Sequence, residues 1–155
     1  MGEKRPQRRA NRLPSFDYTS PNYYFITFCV ENGDCLLWRE PLETWNHRLS
    51  PYGLLVERTI LSIDGILNVR LQHYTVMPNH IHMIVQLAEQ GEAGMANLSN
   101  IVRYVKSTVT KSIGRSIWQK SYYDHVIRDE KDYFRIWEYI ENNPAKWKED
   151  RYYRP

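Results

Sequence analysis

Two strand-length apolar runs, "NVRLQHYTV" and "HIHMIVQL", are separated only by Met77, Pro78 and Asn79. Short runs rich in β-branched and aromatic residues, punctuated by proline, read as strands. A three-residue break is too short for a crossover, so the two are expected to pair antiparallel. The flanking patterns build outward from this pair. Upstream, "YYFITFCV" reads as a strand over residues 23–30. The turn-forming "ENGD" follows, and its Asn32-Gly33 predicts a hairpin with a short return strand over residues 36–38. Ser50-Pro51 is a helix start, a cap followed by a first-turn proline. Leu54, Leu55, Ile60, Leu61 and Ile63 continue that helix as far as Gly65.

Downstream, "AEQGEAGMAN" is a polar loop and "NLSNIVRYVKSTVTKSIG" an amphipathic helix. Leu98, Ile101, Val102, Val105, Val109 and Ile113 are expected to face inward, and Gly114 to end the helix. "SYYDHVIR" supplies a fourth main strand. Asp129 caps a last helix, "EKDYFRIWEYIENN", which Pro144 stops. The order βαββαβ predicts an α+β fold, a ferredoxin-like antiparallel sheet with two helices on one face. The additional C-terminal helix is left to pack separately. A length of 155 residues suits one core. The expected organisation is a basic arm over residues 1–20, one domain over 21–148 and a partly docked tail over 149–155.

Composition narrows the function classes. No apolar stretch approaches the roughly 20 residues that a membrane helix needs, and the basic start has no apolar segment behind it, unlike a signal peptide. Cys29 and Cys35 are too few for a disulfide scaffold and fit reduced thiols in a cytoplasmic protein. The formal charge of +3 is uneven, with Lys4, Arg5, Arg8, Arg9 and Arg12 crowded into the first dozen residues. Such an arm is commonly a solvated tail, and it also suits a phosphate backbone. No acid lies between Ala93 and Gln119, so Arg103, Lys106 and Lys111 give the second helix a basic outer face.

Chemistry enters at "NHIH". His80 and His82 are two apart, which on a strand aims both imidazoles at the same side. A buried histidine beside an exposed one is the ordinary explanation of such a pair. A shared metal ion is the functional one, since imidazole is a good ligand. A third ligand must then come from elsewhere: Asn79, His73, His125, Asp124 or the final helix. On that helix Tyr139 and Asn143 are four apart and share a face, beside the apolar stripe of Tyr133, Phe134, Trp137 and Ile140.

"MPNHIHMIV" together with "WQKSYYDHVIRDEKDYFRIWEYIENNP" resembles the single-tyrosine HUH transposases, and within them the REP-associated tyrosine transposases and small insertion-sequence relatives. The resemblance runs from "YYFITF" to "NNPAKW". It implies that His80 and His82 are the paired metal ligands, that Tyr139 is the nucleophile, and that Asn143, where many relatives carry glutamine, completes the metal site. It further implies an Mg²⁺ or Mn²⁺ cofactor, cleavage and rejoining of hairpin-flanked single-stranded DNA through a 5′-phosphotyrosine, and homodimers among the insertion-sequence relatives. Arg103, Lys106, Lys111, Arg8 and Arg9 become candidate DNA contacts. Asp124 and His125, in the matching "YYDH", are expected as a structural hydrogen-bond pair, with an accessory metal or base role as the other reading. The rivals are a domesticated hairpin-binding protein of the same fold that cleaves nothing, and an unrelated metal-dependent hydrolase.

Overall fold

The computed structural model describes residues 22–39, 49–66, 69–87 and 97–155. Its strands are β1 (Tyr23–Cys29), β2 (Val69–Val76), β3 (His80–Leu87) and β4 (Tyr123–Ile127). They form one sheet in the order β2-β3-β1-β4, and every neighbouring pair is antiparallel. The helices are α1 (Pro51–Ser62), α2 (Leu98–Ile113) and α3 (Glu130–Asn142).

Strand alternation sorts the side chains into two layers. Tyr24, Ile26 and Phe28 of β1, with Ile81, Met83 and Val85 of β3, face Val56 and Ile60 of α1 and Leu98, Ile101, Val105 and Val109 of α2. The opposite face carries a smaller cluster, in which Phe25, Ile84 and Ile127 meet Ile136 and Ile140 of α3. The ferredoxin-like arrangement is therefore present, and the additional helix covers the sheet face that α1 and α2 leave open. Three helix ends form as the sequence predicts. Ser50 Oγ accepts from the Gly53 N–H at 3.1 Å, Asp129 accepts from the Asp132 N–H at 2.7 Å, and Gly114 closes α2 at φ 89°.

The return strand expected over residues 36–38 does not form. Asn32 and Gly33 do take positive φ, 60° and 70°, but inside a 3-10 turn, Glu31–Gly33. Both edges of β1 are already taken, by β3 and β4, so a returning strand has no backbone to pair with. The segment docks elsewhere: the Leu37 N–H donates to the Pro78 carbonyl at 3.0 Å and its carbonyl accepts from Ser50 N–H at 2.9 Å. Pro144 also does more than stop α3. Asn143 keeps helical angles and Pro144 opens a 3-10 segment, Pro144–Glu149, a position where proline's missing N–H has little consequence. Trp147 in that segment is buried against Trp38 and Met77, which turns the chain back toward the start of β3.

Candidate active site

His80 and His82 share the face of β3 covered by α3, and both are buried, at 0 % and 2 % exposure. Their Nε2 atoms stand 3.1 Å apart. The outer nitrogens explain why the rings point inward. Asn79 spends its amide N–H groups on the carbonyls of Gly33 and Tyr152, at 3.2 and 2.7 Å. Its Oδ1 is left to accept from His80 Nδ1 at 2.8 Å. His82 Nδ1 lies 2.7 Å from Thr27 Oγ1, and Thr27 sits directly opposite His82 in the β1–β3 register. The Asn79 Oδ1 acceptor places the His80 proton on Nδ1, and these partners on the outer nitrogens aim both Nε2 atoms at one gap.

Three oxygen donors border the histidines, from the chain beyond Tyr139. The Asp150 side chain is 1 % exposed, with one oxygen 3.8 Å from His80 Nε2. The Asn143 Nδ2 donates to that same Oδ2 at 2.6 Å, and the Tyr152 N–H donates to Oδ1 at 2.7 Å. Asn143 is buried, and its Oδ1 has no hydrogen-bond partner. Ligand atoms of His80, His82 and Asp150 all lie within 4.8 Å of one another. Two imidazoles, a carboxylate and an orphaned amide oxygen fit a divalent cation of mixed nitrogen and oxygen preference.

Burial pushes His80 down to about 4, against the pull of Asp150, and holds His82 well below the usual imidazole range, where a charge on His80 adds to the effect. Both are thus neutral near pH 7, the form that binds metal. Both folded-state values lie below the unfolded one. Their contribution to stability is therefore complete above pH 6.5 and is lost as pH falls toward 4, where the unfolded chain binds protons that the fold excludes. In chelator, the Tm is expected to drop through that window, with His80 alone accounting for on the order of 3 kcal/mol. A flat Tm between these limits would contradict the buried, neutral pair.

Tyr139 lies one helical turn before Asn143 and is 43 % exposed. Its ring stands edge-on to Phe25 at 6.2 Å and 5.3 Å from the ring of His82. Burial, then the charges of Asp150 and Tyr152, push its phenol up to about 12, with Arg151 opposing. Two clefts meet at this side chain. One, about 520 Å³, is lined by Arg135, Glu138, Asn143, Lys146 and Arg151. The other, about 360 Å³, is lined by Phe25, Tyr123, His125, Arg151 and Tyr152.

The remaining candidates are dispersed. Successive strand residues face opposite ways, so Asp124, opposite Ile26, lies on the α1–α2 side while His125 lies on the α3 side. The expected Asp124–His125 pair is therefore absent, and His125 Nε2 bonds Asp132 at 2.7 Å instead. His73 is taken up by Glu141 at 3.0 Å and a stack on Trp137. Arg103, Lys106 and Lys111 line a cleft of about 580 Å³ beside α2, with Lys120 and Tyr122. Lys106 is partly committed there, since its ammonium donates to the carbonyls of Gln119 and Ser121. Arg8 and Arg9 lie outside the described residues. Sequence reasoning missed Asp150, Thr27 and Tyr152 as neighbours of the histidines. The aromatic residues of "KWKEDRYY" were the one available signal that this tail docks.

No family model matches the chain. It is 34 % identical over a 170-position alignment to an uncharacterized protein of Haemophilus influenzae, covering 94 % of this chain and 93 % of that one. It is also 30 % identical over 93 positions to a REP-associated tyrosine transposase of Escherichia coli, covering 59 % of this chain and 54 % of the relative. Over the matched stretches the chain is similar to REP-associated tyrosine transposases. The match to the Escherichia coli transposase spans about half of that protein's length. A solved REP-associated tyrosine transposase, bound to a REP hairpin, superposes with a TM-score of 0.66 at 24 % identity, over 94 % of this chain and 74 % of that one. That likeness is one of fold. Among the described residues no helix is long and apolar enough to cross a membrane.

Proposed function

We propose that this chain is a REP-associated tyrosine transposase that cleaves and rejoins single-stranded DNA beside hairpins, with Tyr139 as nucleophile and a divalent ion, Mg²⁺ or Mn²⁺, at His80, His82 and Asn143. The observation that carries the reading is an exposed tyrosine whose ring lies 5.3 Å from that of His82, in a buried histidine pair. A divalent ion bound there supplies Lewis-acid polarisation of the scissile phosphate.

The chain's own groups do the rest. Tyr139 Oη forms a bond to phosphorus as the bond from phosphorus to the 3′ oxygen breaks. The phenol loses its proton, the departing 3′ oxygen gains one, and the 5′ phosphate stays on the tyrosine. A phosphodiester is exchanged for another, so a later 3′-OH can reverse the step without an energy source. Arg135, Lys146 and Arg151 frame the clefts at Tyr139 and suit the phosphates on either side of the cleaved bond. Arg103 and Lys111 are more distant backbone contacts, and Lys106 contributes what its two carbonyl bonds leave over.

Incubation of the protein with end-labelled, hairpin-flanked single strands and Mn²⁺ is expected to give a denaturation-resistant protein–DNA adduct that chelator prevents. Tight hairpin binding with no adduct would return the reading to a non-catalytic binding protein. Cleavage with free 5′ phosphate and no adduct would return it to a hydrolase.

A further inference from the structure

The chain beyond α3 comes back to the histidines by a defined route. Trp147 is wedged against Trp38 and Met77, and the Asn79 amide holds the Tyr152 carbonyl at 2.7 Å. Between these two anchors Asp150 is carried into the interior. Its carboxylate is held from two sides, by the Asn143 amide on Oδ2 and the Tyr152 N–H on Oδ1. Both oxygens accept, which is the arrangement of an ionised carboxylate.

A buried anion needs a compensating charge. Among the described residues no lysine or arginine lies within ion-pair distance of Asp150, and its one ion-pair contact is His80 Nε2 at 3.8 Å. That is too long for a hydrogen bond, so the imidazole does not satisfy the charge. The two Nε2 atoms, 3.1 Å apart, meet in the same place, and Asn143 has an oxygen with no donor. Two imidazole nitrogens, a carboxylate and an amide oxygen gathered in this way are the surroundings of a cation.

We propose that Asp150 is a direct anionic ligand of the divalent ion, an assignment that rests on the metal-dependent reading above. Asn143 then has two tasks: it orients Asp150 through Nδ2 and offers Oδ1 to the ion. A carboxylate in the set lowers the net charge of the ion and favours oxygen-preferring cations such as Mn²⁺ and Mg²⁺ over soft ones. It also makes the segment after α3 part of the metal site.

The test is Mn²⁺ titration of the full chain without DNA, followed by electron paramagnetic resonance and calorimetry. Asp150→Asn and Asp150→Ala are both needed, because an asparagine side chain would set an N–H against the donors of Asn143 and Tyr152 while alanine leaves room. Each is expected to weaken Mn²⁺ binding by about 100-fold or more, beyond the effect of losing a supporting partner. The metal-free Tm should hold or rise as an uncompensated charge is removed, while the Tm increase on adding Mn²⁺ should disappear. Mn²⁺ affinity within about 3-fold of the wild type in Asp150→Ala, with His82→Ala losing the ion, would overturn the assignment and leave the strand-transfer reading intact. Normal Mn²⁺ binding that depends on Asp150, with no DNA adduct from the wild type, would sink strand transfer and leave the ligand in place. A wild type that binds no Mn²⁺ would overturn both.

Discussion

Tyr139→Phe is expected to abolish the covalent DNA adduct while leaving the fold and hairpin binding intact. The substitution removes one oxygen and keeps the ring, so the contacts with Phe25 and His82 persist. At 43 % exposure the hydroxyl is not a buried group whose loss strands a partner, and the stability change should stay within about 0.5 kcal/mol. The chemical effect is of another order. Without the phenolic oxygen there is no bond to phosphorus to form, and adduct formation should fall by about 10⁴-fold or more. A gel that separates covalent from non-covalent complexes, run beside a hairpin-binding measurement, checks both halves. An adduct that survives in the Phe variant means the nucleophile is elsewhere. Tyr152, whose ring lies 4.5 Å from that of His80, is then the first to test, followed by Tyr123, Tyr122 and Tyr133.

The largest effect on stability is expected at a residue without a side chain. A Cβ at Gly53 would collide with the Leu37 carbonyl oxygen and stand 3.0 Å from its carbon. These are backbone atoms and cannot rotate away. Leu37 is itself fixed, since its N–H donates to Pro78 and its carbonyl accepts from Ser50. Relief of the clash requires α1 or the residue 36–38 segment to move. Gly53→Ala should therefore lower unfolding stability by about 3 kcal/mol or more, seen as a drop in the urea midpoint at an unchanged slope. Because Pro78 precedes the Asn79 that fixes His80, the surviving folded fraction should also bind Mn²⁺ less tightly. A variant with the wild-type midpoint would show that the α1 contact yields easily.

Local chemistry decided most of what the sequence revealed. The caps at Ser50, Asp129 and Gly114 are satisfied within one helical turn. Strand alternation sorted the residues of β1 and β3 between two faces with no knowledge of their neighbours, and it aimed His80 and His82 the same way. The failures share a cause too. Whether residues 36–38 could pair with β1 depended on edges that β3 and β4, distant in sequence, already occupied. Asp150 lies in "KWKED", a run that read as a partly docked tail with no residue of it marked for the site. Only the anchoring of Trp147 on Trp38 and Met77 turns one of its charges inward. Thr27 reached the site by sheet register, a relation with no trace in either strand alone.

The division of the core has a mechanical consequence. α3 rests on the sheet through the small cluster of Phe25, Ile84, Ile127, Ile136 and Ile140, apart from the larger layer beneath α1 and α2. Tyr139, Asn143 and Asp150 all belong to the stretch that begins with this helix, whereas both histidines belong to the sheet. If α3 lifts, it takes Tyr139, Asn143 and Asp150 away from the histidines in a single motion. An ion bridging the two halves would act as a clasp, pressing the helix down with a strength set by its free concentration.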